Sequence, residues 1–387
     1  MRRAQTAPGC EYGTALNRQR CATLGAPFSY RYTLRSVFDF LRPSLRQSVP
    51  LRFAPPSFHA QAVGQGKVFR VVFGGDIMTP FLRSVPGVAP ELRRILGGAD
   101  LFIGNCEGSL VIEKKAPKGI PRFHFDIEEG FLRVFLQELG LTPSRCVLSV
   151  ANNHMGDRGL AGLDATLDRL RGMGVTAVGQ HVEGQPPVHF LERSGLRLGI
   201  AAWTHWQNSR VFDHSVGVRR GRDVPTWDWR AIKEKRGLDG LIGIPHWGVE
   251  FRHFPRREEQ KLAEDLVRAG FDVLAGHHPH VIQPLEWLGR SPCFYSLGNV
   301  NGPPIPFLPW PIRLGAFWEL GLFTGGPNRG SPATWTIHFF FRQNIGGREW
   351  LLPLEGARGA ERQKMEERLR LLFPFRTANQ QAETEHS

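Results

Sequence analysis

Eight polar residues spread through the middle of the chain belong to types that bind divalent metals: Asp76, Asn105, Glu107, Asn153, His154, His246, His278 and His280. Carboxylate, amide oxygen and imidazole without thiolate suit the ions Mn, Fe, Zn and Ni. One ion takes about four to six donors. Two ions about 3.5–4 Å apart need a carboxylate between them, and Asp76 or Glu107 could fill that role. The chemistry expected is hydrolysis by a water that one or two such ions make acidic. A lone histidine of this kind is usually structural and hydrogen-bonded. Here it is the set that carries the reading.

These residues stand at the ends of short apolar runs. Phe69–Phe73 precedes Asp76, Leu101–Ile103 precedes Asn105, Cys146–Val150 precedes Asn153, and Leu198–Trp203 precedes His205. Leu241–Ile244 precedes His246, Val273–Ala275 precedes His277, and Cys293–Leu297 precedes Asn299. Runs of this length read as strands buried on both faces. Between them, Leu160, Leu163, Leu167 and Leu170 repeat at helical spacing, with Gly172 and Gly174 as stops. Glu258–Ala269 places Leu262, Ala263, Leu266 and Val267 on one face before Gly270. Alternating strands and helices make an α/β fold, in which ligands bind beyond the C-terminal strand ends. Gly74, Gly75 and Gly104 let the backbone turn tightly there. Further strands are expected over Ala316–Phe323 and Thr334–Phe341, beside the core sheet, and a charged helix near Ala360–Leu372. The expected organisation is a basic, flexible extension over 1–66 with one short helix around Leu34–Leu41. A domain over 67–345 and a helix with a polar tail over 346–387 complete it.

Gly75-Asp76-Ile77-Met78, Asn105-Cys106-Glu107-Gly108, Ala151-Asn152-Asn153-His154, His246-Trp247-Gly248, Gly276-His277-His278-Pro279-His280 and Tyr295-Ser296-Leu297-Gly298-Asn299 occur in this order. Together, over roughly Val68 to Val300, they resemble the CapA-type poly-γ-glutamate capsule-synthesis proteins of the calcineurin-like metallophosphoesterase superfamily. The resemblance implies a four-layer α/β/β/α sandwich. It further implies that Asp76, Glu107, Asn153, His246, His278 and His280 are metal ligands, with Glu107 where the superfamily has a bridging aspartate. His154 would be the acid that protonates the leaving group. Met78 stands where the wider superfamily has a histidine, a departure that CapA-type sequences share and that leaves one ion short of a ligand.

Around that centre, Asn105 and Asn299 are expected to line the site, and Arg252 or Arg290 to neutralise an anionic substrate. His277 stays outside the ligand set, and Asn152 reads as a turn residue. Ser296 lacks the G-x-S-x-G elbow of a nucleophile. Trp203, Trp206, Trp227, Trp229 and Trp247 read as core or loop cover, and Arg252, Arg256 and Arg257 as a solvated helix start. The function expected is a metal-dependent hydrolase in capsule or poly-γ-glutamate metabolism, phosphoesterase-like or directed at γ-glutamyl polymer. Its rival is a non-catalytic, polyanion-binding factor in a polymer synthesis or export complex.

The chain of 387 residues carries a formal net charge of +13, which raises a nucleic-acid reading. Residues 1–66, however, hold nine Arg, no Lys and only Glu11 and Asp39, a net +7. The remaining +6 is mild, and nucleic acid is not the expected partner. Five cysteines without a C-x-x-C pair read as reduced core residues. No apolar run is long enough to span a membrane, and no apolar segment of a secretory signal follows Met1-Arg2-Arg3. The resembled family usually works outside the cytoplasmic membrane, so the two indications of location conflict.

Overall fold

Val, Phe and Ile dominate the run Val68–Ile77, which forms β1 at the centre of an eight-stranded sheet. The computed structural model describes residues 68–78, 84–113, 124–182, 184–185, 188–208, 221–302 and 310–374, with 38–39, 45, 47 and 50–53. After β1 come β2 (Gly87–Val88), α1 (Pro90–Gly97), β3 (Leu101–Cys106), β4 (Ser109–Val111), β5 (Asp126–Glu128) and α2 (Glu129–Glu138). Then follow β6 (Cys146–Ser149), α3 (Gly159–Gly172), β7 (Thr176–Val178), β8 (His189–Arg193), β9 (Leu196–Thr204) and α4 (Trp229–Arg236). The second half holds β10 (Gly240–His246), α5 (Arg257–Ala269), β11 (Val273–Ala275), β12 (Leu285–Leu288) and β13 (Ser291–Phe294). Last are β14 (Leu314–Phe323), β15 (Pro332–Ile345), β16 (Arg348–Pro353) and α6 (Gly359–Leu372).

One sheet runs β2-β16-β15-β14-β1-β3-β6-β7 and the other β12-β13-β11-β10-β9-β8, with β4 and β5 forming a small ribbon. In the first, β1, β3, β6 and β7 are parallel. In the second, β9, β10, β11 and β13 are parallel, with antiparallel β8 and β12 at the edges. The sheets pack face to face: Trp318 of the first lies 4.9 Å from Phe73 and 5.7 Å from Phe294 of the second, between ring centroids. Helices cover the outer faces, giving the expected α/β/β/α sandwich. Each strand run expected from the sequence contains a strand; the runs from Phe69–Phe73 to Cys293–Leu297 are buried on both faces, whereas Thr334–Phe341 begins with exposed and half-buried residues. In α3, Leu163, Leu167 and Leu170 are buried as the spacing requires, whereas Leu160 is exposed in the first turn.

Two expectations about the ends of the domain are corrected. A boundary at 345 falls inside a hairpin, since β15 turns through Gly346 and Gly347, both at positive φ, and pairs with β16. Phe373, just past α6, then packs at 5.7 Å from Phe294 and 5.1 Å from Phe339. The C-terminal helix therefore belongs to the core. Nor is the 1–66 segment loose throughout. Leu51 is buried, and the Trp287 N–H of edge strand β12 donates to the Arg52 carbonyl at 2.7 Å. Of the helix expected around Leu34–Leu41, Phe38 and Asp39 are helical and the rest lie outside the described residues.

Candidate metal centre

The site forms where both sheets end together. At the end of β1, the register against β3 shifts between Phe73 and Asp76, a bulge that re-aims the carboxylate. Gly75 permits the approach behind it: a Cβ there would stand 1.9 Å from the Gly298 carbonyl oxygen. That segment stitches the sheets, with Asp76 N–H donating to Gly298 O (3.0 Å) and Val300 N–H to Asp76 O (2.9 Å). Asn105 lies in β3 and Glu107 just beyond it, and Asn153 and His154 follow β6. His246 ends β10, and His278 and His280 follow β11. Both of the last two hold positive φ, 98° and 57°. Non-glycine residues rarely occupy that region, and they concentrate at functional sites.

Two triads of possible ligands result, Asp76–Glu107–His280 and Glu107–His246–His278, each with its donor atoms within 4.8 Å of one another. Glu107 belongs to both. Its Oε1 is 3.7 Å from His246 Nε2 and its Oε2 3.8 Å from His280 Nδ1. Asn153 Oδ1 joins the second triad at 2.8 Å from His246 Nε2. The Glu107 side chain is completely buried and neither oxygen accepts a hydrogen bond. A buried carboxylate without partners is costly, and cations on both sides are the partners this donor set fits. Burial and the neighbouring Asp76 push the Glu107 carboxyl well above its usual range. Burial also acts upward on Asp76, but His280, with His277 and His246, outweighs it and holds that group low. Burial pushes His246 and His278 far down, each helped by a neighbouring histidine, so both are neutral, as ligation requires. His280 keeps a proton up to about 10: burial opposes it, but Glu107 and Asp76 prevail.

His154 stands beside this set. Its Nδ1–H donates to Asp157 Oδ2 at 2.8 Å, and its ring stacks on Phe125 with centroids 3.7 Å apart. Asn208 Nδ2 is 3.3 Å from the ring, and the Asn208 side-chain oxygen is 3.4 Å from Asn153 Nδ2. Sequence reasoning missed Asp157, Phe125 and Asn208. The local spacing H-x-x-D could have flagged the first, but nothing in the sequence ties the other two to this ring.

The model of the family described as "Bacterial capsule synthesis protein PGA_cap" matches residues 70–302, which is every element that contributes to this centre. The chain belongs to that family. It is 26% identical over 244 residues to the PGA biosynthesis protein CapA of Bacillus subtilis, covering 60% of this chain and 63% of that one. To the capsule biosynthesis protein CapA of Bacillus anthracis it is 27% identical over 221 residues, 55% of this chain and 52% of that one. The chain thus spans between half and two-thirds of these relatives. Among solved structures, a hypothetical protein from Thermus thermophilus aligns over 70% of this chain and 99% of its own, with 16% identity and a TM-score of 0.42. A 5'-nucleotidase from Candida albicans aligns over 75% and 52%, with 10% identity and a TM-score of 0.41. At those TM-scores neither likeness bears on function.

In this PGA_cap chain the other expected site residues divide. Asn105 is at the centre, its Nδ2 donating to Asp76 Oδ1 at 2.8 Å, and Asn152 braces it at 3.1 Å. Asn299 Oδ1 is 3.0 Å from His280 Nδ1. Arg252 lies in the loop after β10, next to Phe251, whose ring is 6.1 Å from that of His280, and its Nε donates to Phe254 O at 3.0 Å. Arg290 is a correction. It occupies the exposed turn between β12 and β13, and its guanidinium contacts Asn328 at 3.4 Å. Because it precedes β13, it sits at the sheet end opposite Asn299. Trp203, Trp229 and Trp247 are core, and Trp206 borders the centre 6.3 Å from the His278 ring. Arg256 caps α5 through Glu259. Among the described residues no helix is long and apolar enough to cross a membrane.

Proposed function

We propose that this PGA_cap chain is a divalent-metal-dependent hydrolase of anionic substrates, acting on a capsule-type polymer such as poly-γ-glutamate or on a phosphoester linked to its metabolism. The observation that carries the reading is the buried, unpartnered Glu107 shared by two donor triads. Asp76, Glu107 and His280 would hold one ion, and Glu107, Asn153, His246 and His278 another. Bound metal supplies a water acidic at neutral pH and stabilises charge developing on the substrate. Asp157 accepts from Nδ1 of His154 and so fixes the ring; the other ring nitrogen is left to carry a proton to the leaving atom. Phe125, stacked on that imidazole, keeps one of its faces from water. Asn105 braces Asp76, and Arg252, in the loop after β10, would add positive charge for an anionic substrate.

The test is a panel of phosphoesters and γ-glutamyl peptides, offered with Mn, Fe, Zn and Ni to wild type and His154→Ala. Wild type is expected to turn over a member of the panel. His154→Ala should lose about 10²–10⁴-fold of that rate while binding the same metal. Metal uptake without cleavage of any panel member would replace this reading with that of a polyanion-binding factor.

A further inference from the structure

We propose that Asn299 is a metal donor, its side-chain carbonyl oxygen completing the coordination of the ion held by Asp76, Glu107 and His280. The inference rests on the metal reading above and goes beyond it. The two triads are unequal: the His246 triad has Asn153 Oδ1 as a fourth donor, 2.8 Å from His246 Nε2, and the Asp76 triad has three protein donors. Met78 does not supply the missing one from its backbone. Both its N–H and its carbonyl are taken by the Asn301 side chain, at 2.9 and 2.8 Å.

Three oxygens converge on Nδ1 of His280: Asn299 Oδ1 at 3.0 Å, Asp76 Oδ2 at 3.5 Å and Glu107 Oε2 at 3.8 Å. Metal–oxygen and metal–nitrogen bonds of about 2.0–2.2 Å put neighbouring donors about 3–3.5 Å apart, so Asn299 and Asp76 already stand at the spacing of a common ion and Glu107 lies just beyond it. The chemistry of the imidazole points the same way. When Nδ1 gives its lone pair to an ion it has no proton for Asn299. The amide oxygen, on a residue only 2% exposed, then needs another electropositive partner, and the ion is adjacent. The backbone fixes this placement. Asn299 pairs with Asp76 in an isolated bridge between the sheets, behind Gly298 at φ 71°.

Titration of the full chain with Co(II), followed by visible absorption, tests this in wild type, Asn299→Leu and Asn299→Asp. Wild type should take two ions. Asn299→Leu should take one with unchanged affinity and the second at least tenfold more weakly, with an altered spectrum at saturation because a donor is gone. Asn299→Asp, which keeps size and oxygen, should hold the second ion at least as tightly as wild type, so the inference stays testable if the leucine variant misfolds. Equal affinity in Asn299→Leu, or weaker binding in Asn299→Asp, overturns it. Weaker binding in Asn299→Leu with an unaltered saturated spectrum also overturns it, since Asn299 would then only orient His280. Absence of Co(II) from wild type would instead overturn the metal reading itself.

Discussion

Glu107 has little in its own surroundings to stabilise its charge: it is buried, it accepts no hydrogen bond, and Asp76 pushes its carboxyl up further, with His280 Nδ1 at 3.8 Å as its counter-charge. Glu107→Gln should therefore leave the metal-free protein as stable as wild type, or more so, because a neutral amide costs less there than a carboxylate. It should also abolish the gain from metal, which for wild type is about 2.7 kcal/mol at a hundredfold excess over Kd. Denaturant melts with and without Mn(II) measure both effects, and an equal metal-dependent gain in the two proteins would count against Glu107 as a ligand. At this scale the sequence was informative because metal chemistry is written in residue types. Asp76, Glu107, Asn153, His246, His278 and His280 are of ligand type wherever they fall, and the strand-end rule puts them at one end. Asn208 and Phe125 are far from His154 along the chain, and only tertiary packing brings them to it. Arg290 went astray because charge alone does not say which end of a strand a turn occupies.

Two contacts between distant elements hold the frame of the site. Arg52 lies against β12 and donates to Glu286, which also accepts from Tyr295. The Glu286 side chain is 1% exposed, and that of Arg52 56%. Glu286 Oε1 also accepts from the Arg52 backbone N–H at 3.3 Å, so Arg52→Ala removes only the half-exposed guanidinium and should cost no more than about 1 kcal/mol; urea unfolding measures it, and a loss well above that would contradict this balance. At the other junction, Arg368 of α6 donates to His253 in the loop after β10. Burial, aided by Arg368, pushes His253 well below its usual value. A base depressed in the folded state takes up more protons when unfolded, so its contribution to stability is lost as pH falls below about 6.5. Between about pH 7.5 and 5.5, on either side of that value, wild type should lose more stability than His253→Leu; equal losses would contradict this origin. Of the strands behind these contacts, β10 and β13 were legible from their apolar runs and β12 was not. The Arg52 contact and β16 were not, since a short docked segment and a late hairpin strand owe their place to the sheet edges they cover.

Across the whole molecule, the two sheets meet at 297–300, so the segment that closes the core also brings Asn299 to Asp76. Fold and site are thus inseparable. More than half of the net charge of +13 lies in residues 1–66, and the PGA_cap region that bears the centre is only mildly basic, so the charge gives no footprint for nucleic acid at the centre. The most direct measurement is elemental analysis of the full chain, wild type against the His278→Ala, His280→Ala double variant, after loading with a divalent transition metal and gel filtration. Wild type should retain two equivalents per chain, and the double variant, with one histidine gone from each triad, should retain essentially none. Equal metal in the two proteins, or none in wild type, would contradict a metal centre built around Glu107.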